Sequence, residues 1–324
     1  MSTPLSKHLI PYRLDPNWDM DPERLAELLS QMVFQPCGNQ EPMRQGWENV
    51  LPAESGGAGL VHAVAGRWLV ALGCDKRILP GRVVKQAALK RAAELEAQQG
   101  FKPGRKQMKE IAEAVTQELL PTAFINHSRV LAWFDVSAGW LMVLASSRTA
   151  AEPVLEHLYK CLEGLPIKLL NTEFSPCKAM TDWLAAHEAP NGFSIDDSCE
   201  LRAVTDETSV VRYRHHSLEG EEIRDHIAQG KQVYSLGLSY ADRVSFTLTE
   251  RLEIKGLELL DITKTESKSA TAQDAQEQFD VDFTLLALEA TAMLEQLLGA
   301  LGGETKDEES AQSDGAGEPS RLAA

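Results

Sequence analysis

The spacing of apolar residues changes several times along the chain, and each change marks an element. Leu9-Ile-Pro-Tyr-Arg-Leu14 reads as a strand. Asp21-Pro22-Glu23 then opens a helix with a cap, a proline in the first turn and an early carboxylate. Leu25, Leu28, Leu29 and Met32 give that helix one apolar stripe. Arg67 to Gly73 is strand-like. Arg82 to Gln99 has helix-forming composition with no Gly or Pro. Gly100 to Gly104 ends it, and Pro103 opens a second helix that reaches Leu119 and stops at Pro121. Met108, Ile111, Ala112, Val115 and Leu119 fall on one face of the second helix. Arg129 to Ala145 is a hairpin turning at Ser137-Ala138-Gly139. It is apolar on both faces, which places it in the middle of a helix-covered sheet. A helix over Ala150–Leu162 and a strand over Pro166–Leu170 follow.

The second half repeats the mixture. Thr208–Arg214 reads as a strand and Glu221–Gln229 as a helix closed by Gly230. Val233–Tyr240 and Arg243–Thr249 alternate around Ala241-Asp242 as a second hairpin, and Leu252–Ile262 adds a strand. In the last helix Phe283, Ala287, Ala290, Leu294, Leu297 and Leu301 alternate spacings of four and three. Such a seam fits a helix packed on its own sheet or a contact between subunits. The pattern predicts an α+β fold with antiparallel and mixed sheets. Residues 1–75 and 125–170 form a central sheet region, 76–124 a basic helical finger, and 171–303 a C-terminal α+β region.

Charge changes the picture. The 324 residues carry 32 Lys and Arg against 48 Asp and Glu, a formal net charge of −16. That total opposes a polyanionic partner at long range, yet salt screens beyond about 10 Å, so a locally basic surface still binds at contact. Such a surface is present: Lys76, Arg77, Arg82, Lys85, Lys90, Arg91, Lys102, Arg105, Lys106 and Lys109 are interrupted only by Glu94 and Glu96. Two readings fit, an arm that meets phosphate and a solvated helical face. The spread of Arg82, Lys85, Lys90 and Arg91 around the first helix speaks against groove reading. Arg105, Lys106 and Lys109 stand near a helix N-terminus, where each cation costs roughly 0.3–1 kcal/mol against the macrodipole. Something other than helix stability keeps them there. Residues 304–324, rich in acids, Gly, Ser and Ala, are predicted to be a disordered acidic tail.

Several function classes lose support. No apolar run approaches the roughly 20 residues of a membrane span, and Met1–Pro11 lacks a cleavable apolar region, so a cytoplasmic location is expected. Five cysteines without a Cys-x-x-Cys pair predict neither a disulfide framework nor a zinc site. Glu54 to Gly59 is a glycine-bearing loop without the Gly-Lys-Ser/Thr of a phosphate loop. The eight histidines show no metal spacing, and there is no Gly-x-Ser-x-Gly elbow. Asp280 and Asp282 fit a helix start or a carboxylate pair. No enzyme, cofactor or metal is therefore expected. Arg212-Tyr213-Arg214-His215-His216 is a second basic cluster, suited to phosphate and base stacking or to blunting a sheet edge.

These segments also carry a resemblance. Phe34-Gln-Pro-Cys-Gly-Asn-Gln40 with Gly46-Trp47, Ile78-Leu-Pro, Val84-Lys-Gln-Ala87 and Leu119-Leu-Pro-Thr-Ala-Phe124 resemble the RdgC family in order. So do the Trp133…Gly139 hairpin, Gly164-Leu-Pro166, Glu221-Glu-Ile, His226-Ile-Ala-Gln-Gly-Lys231 and Phe279-Asp-Val-Asp-Phe283 through Gly302-Gly-Glu304. The resemblance covers about residues 8 to 304. It implies a homodimer that closes into a ring around duplex DNA, binds single and double strands without sequence preference, and restrains RecA in recombination. It places the finger at the tip, Phe124 at a subunit contact, and Arg212–His216 near the base contact or the hole. Nucleoid association follows from the same resemblance. The rivals are a nucleoid architectural protein without a RecA role, a metal-dependent nuclease using Asp280 and Asp282, and a dimer whose finger meets an acidic protein.

Overall fold

A computed structural model describes residues 5, 7–51, 59–204, 209–260 and 275–305. The loop at 54–58 and the acidic tail from residue 306 onward lie outside the described residues. The chain divides into two compact units, Asp15–Pro166 and Met1–Leu14 with Ile167–Ala324. In chain order the elements begin with β1 (Ile10–Leu14), α1 (Pro22–Leu29), β2 (Met43–Glu48), β3 (Val61–Val64) and β4 (Arg67–Ile78). Next come α2 (Gly81–Gln99), α3 (Arg105–Leu119), β5 (Phe124–Asp135), β6 (Trp140–Val143) and α4 (Arg148–Cys161). Then β7 (Ile167–Leu169), α5 (Pro176–Ala186), β8 (Phe193–Ala203), β9 (Val210–Tyr213) and α6 (Glu221–Ala228) follow. The last are β10 (Lys231–Tyr240), β11 (Val244–Thr249), β12 (Ile254–Leu259) and α7 (Ala275–Ala300).

In the unit Asp15–Pro166 the strands run in the order β2-β4-β5-β6, with β3 also on β4, and these pairs are antiparallel. Trp47, Leu69, Trp133, Phe134, Trp140 and Leu141 are fully buried and form its core. At the hairpin between β5 and β6, Asp135 accepts from the Ser137 hydroxyl at 2.8 Å and the Ala138 N–H at 3.1 Å. Its other oxygen lies 2.8 Å from the buried Arg67 guanidinium, so the turn is tied to the start of β4. β4 and β5 are longer than the apolar pattern indicates: the strand expected over 67–73 runs on to Ile78, paired with Phe124 at the start of β5. Lys76 and Arg77 are therefore strand residues. At Gly46 a Cβ would stand 2.6 Å from the backbone of Phe34, whose N–H donates to Trp47 O at 2.8 Å. Glycine there lets the Phe34–Gln40 turn lie against β2.

The other unit is built on a five-stranded antiparallel sheet, β12-β11-β10-β8-β9, with β1 paired to β7. Ala241 and Asp242 both take positive φ at the β10–β11 turn, the two-residue geometry that matches strand twist. Both α5 and β8 went unread in the sequence. The seam of α7 is settled: Phe283, Ala287, Ala290, Leu294, Leu297 and Leu301 are all buried within the single chain. Among the described residues one helix, α7, is long and apolar enough by length and composition alone to cross a membrane, although Asp280, Asp282, Glu289 and Glu295 break its apolar run. The buried seam accounts for that composition. Near the end of the described residues Glu304 pairs with Arg13 and forms a bridge with Thr172.

Candidate nucleic-acid interface

The helices α2 and α3 pack through Ala88, Ala92, Ile111 and Val115, with Val84, Leu95, Met108 and Leu119 around them. Small residues on α2 let the partner come close. Gln107 reaches Gln99 near the connecting turn and Arg91 pairs with Glu118 at its far end, so the helices run antiparallel. Gly100 closes α2 with φ of +80°, a conformation that suits glycine. Over residues 81–119 the hairpin carries eight Lys and Arg against five Glu.

The cations of the finger point outward. Arg82, Lys85, Lys90, Arg91, Lys102, Arg105, Lys106 and Lys109 are exposed, as is Lys76 on β4. Arg91 lies 2.5 Å from Glu118, Lys106 4.0 Å from Glu110 and Lys109 3.7 Å from Glu113. Such solvent-exposed pairs hold their partners weakly. Among the described residues Arg82, Lys85, Lys90, Lys102 and Arg105 form no ion pair. The α3 N-terminus has Gly104 as its cap with no side-chain hydrogen bond and no acid in its first turn.

Arg77 departs from this set. Only 8% exposed, it spends its guanidinium on backbone carbonyls, and a phosphate cannot reach it as the chain is folded. Beside it the surface turns apolar: Phe124 is 84% exposed and its register partner Ile78 53% exposed. Ile125 and Met43 are exposed as well. An open apolar cleft of about 570 Å³ lies where the hairpin meets β4, lined by Leu79, Val84, Ala88, Met108 and Leu120, with Lys85 among its lining residues.

A polar network on β2, β4 and β5 was not foreseen. His127 Nδ1 lies 2.9 Å from Asp75 and its Nε2 3.4 Å from Glu48, which also faces Arg129 at 3.9 Å. Burial pushes the Asp75 carboxyl up. Hydrogen bonds from His127 and the Cys37 N–H, with the charges of His127 and Arg77, outweigh that and hold it below the usual range. Burial lowers Arg129, against the opposing effect of Glu48.

The second cluster is mixed in sign. β9 is an edge strand, and Arg212 lies 2.5 Å from Glu200, which also holds Arg202 at 2.7 Å. Arg214 is exposed. His215, nearly bare to solvent, lies 3.1 Å from Asp197, and His216 Nδ1 lies 2.8 Å from Ser217 O. Tyr213 is flanked by the His216 and His226 rings at 5.3 and 6.4 Å. Close by, Asp196, Asp197 and Glu219 line a cavity of about 820 Å³. Burial, and secondarily Asp197, raise the Asp196 carboxyl, against a hydrogen bond from Ser239. Acids thus crowd the second cluster, whereas the finger's cations outnumber its glutamates. Asp282 accepts from Gln278 at 2.8 Å within α7. Among the described residues no three His, Cys, Asp or Glu gather as a metal-ligand set.

Residues 5–304 match the family model described as "Putative exonuclease, RdgC". The chain belongs to the RdgC family. A protein of Dechloromonas aromatica named "Recombination-associated protein RdgC" is 44% identical over 301 residues, 92% of this chain and 97% of its own length. The protein of the same name from a Janthinobacterium is 45% identical over 300 residues, covering 93% and 98% of the two chains. That of Bordetella pertussis is 43% identical over 300 residues, covering 93% and 99%. The RdgC match therefore spans both units and ends at Glu304, the residue anchored by Arg13 and Thr172.

Proposed function

We propose that this protein is a non-sequence-specific DNA-binding protein of recombination. It acts as a homodimer closed around duplex DNA and limits RecA-mediated strand exchange by occupying the duplex. The carrying observation is the α2–α3 hairpin, whose exposed cations outnumber its acids in a chain of net charge −16. Relatives named for recombination support the same reading. Phosphate neutralisation supplies the affinity and acids elsewhere keep the assembly soluble. Single strands bind through the same cations. Phe124 and Ile78 supply an apolar contact between subunits, and the Arg212–His216 run lies near the second contact or the opening. A cytoplasmic, nucleoid-associated location follows, with no cofactor.

The test joins two assays. Duplexes of unrelated sequence are expected to bind within a few-fold of one another, with log K falling linearly in log salt by about 0.9 per phosphate neutralised. In a RecA strand-exchange reaction, product is expected to fall as the protein coats the duplex. Undiminished exchange on coated duplex would leave an architectural DNA-binding role. DNA cut on incubation with Mg²⁺ or Mn²⁺ would favour the nuclease that the family description names.

A further inference from the structure

We infer that Arg77 is a positioning residue for the subunit contact: its guanidinium fixes the turn that delivers Phe124. The inference rests on the reading of Phe124 as a subunit contact given above. Arg77 stands one residue before Ile78, the register partner of Phe124. Its Nη1 donates to Leu120 O at 3.1 Å, Pro121 O at 3.3 Å and Ala123 O at 3.2 Å, all in the turn between α3 and β5. Its Nη2 donates to Gly38 O at 3.1 Å in the preceding loop, and its backbone N–H to Pro42 O at 2.9 Å. Asp75, two residues earlier and on the same strand face, accepts from the Cys37 N–H at 3.1 Å. One face of β4 therefore clamps two loops around the last rung of the β4–β5 ladder.

The chemistry favours arginine here. The end of a helix leaves carbonyls that need donors from elsewhere, and a cation suits that end of the dipole. A planar guanidinium spreads its N–H groups across two loops, while an ammonium donates from a single point. Asp75 supplies the negative charge that a buried cation needs nearby. With the clamp in place, an exposed phenylalanine is held in one position before it meets anything, which reduces the ordering cost of association.

A double-mutant cycle on the full chain tests this. Self-association is measured by sedimentation for the wild type, Arg77→Met, Phe124→Ala and the double variant. Phe124→Ala is expected to weaken association about thirtyfold and Arg77→Met about tenfold. The double variant is expected to be no weaker than Phe124→Ala alone, since Arg77 acts through Phe124. Losses that multiply would overturn the inference. So would a salt slope for DNA binding lowered by about 0.9 in Arg77→Met, the mark of a phosphate ligand. Amide exchange over residues 120–124 separates the two possible failures. Faster exchange in Arg77→Met with association insensitive to Phe124→Ala keeps the clamp and removes the subunit contact. Unchanged exchange removes the clamp. Arg77→Lys, which keeps the charge without the fork, is expected to give the same pattern and serves if Arg77→Met does not fold.

Discussion

Replacing Arg105, Lys106 and Lys109 together by alanine is expected to flatten the salt dependence of duplex binding by about 2.7 in log–log slope, at roughly 0.9 per lost phosphate contact. At 0.1 M salt the same loss amounts to an affinity lower on the order of a hundredfold. The folded state is expected to be indifferent. Lys106 and Lys109 place their glutamates four residues downstream, the weaker order for a helical pair, and both pairs are exposed. Arg105 and Lys106 begin a helix whose dipole they oppose. Melting temperature should therefore hold or rise slightly while binding collapses. Equal slopes for the variant and the wild type would return these cations to the status of a solvated face.

Phe124→Ala is expected to shift the subunit equilibrium toward monomer about thirtyfold while leaving each subunit folded. The ring is 84% exposed, so little of its area is buried on folding, and truncation removes almost no intramolecular packing. In an isologous interface each such contact occurs twice, which makes the loss in association larger than one side chain implies. DNA binding should weaken with it, because two linked basic surfaces act at high effective concentration and a lone subunit does not. Sedimentation and binding on one preparation check both halves of this expectation. A dimer as tight as the wild type would free Phe124 of that role.

Much of this was legible because punctuation and period agree locally. Gly100, Pro103 and Gly104 separate two helix-forming runs, and the packed hairpin follows the apolar face read from Met108, Ile111 and Val115. The hairpin at 129–145 carries its own turn, and Asp135 ties that turn to Arg67 through a contact that no local pattern discloses. β8 escaped because Asp196 and Asp197 interrupt its alternation, and those acids face a cavity instead of a core. α5 was legible, since Pro176 opens it and Ala179, Met180, Trp183 and Leu184 recur at helical spacing.

Within the candidate site the exposed cations were legible and the buried one was not. Lys76 and Arg77 look alike in composition, yet alternation along β4 sends one to solvent and the other onto the carbonyls of two loops. The strand's extension past Gly73 decides that, and it rests on pairing with β5, whose nearest register pair, Ile78 and Phe124, is 46 residues apart in chain order. His127 was hidden for the same reason: Asp75 and Glu48 meet it only through strand pairing.

The most direct measurement is topological. A Phe124→Cys protein is allowed to bind a closed circular duplex, its subunits are joined by oxidation at that position, and the complex is washed at high salt. Cys37, Cys161 and Cys199 are buried, which keeps most native thiols out of the reaction. A protein that encircles DNA stays on the washed circle and leaves when the circle is cut once. Release from circle and linear duplex alike would contradict the account.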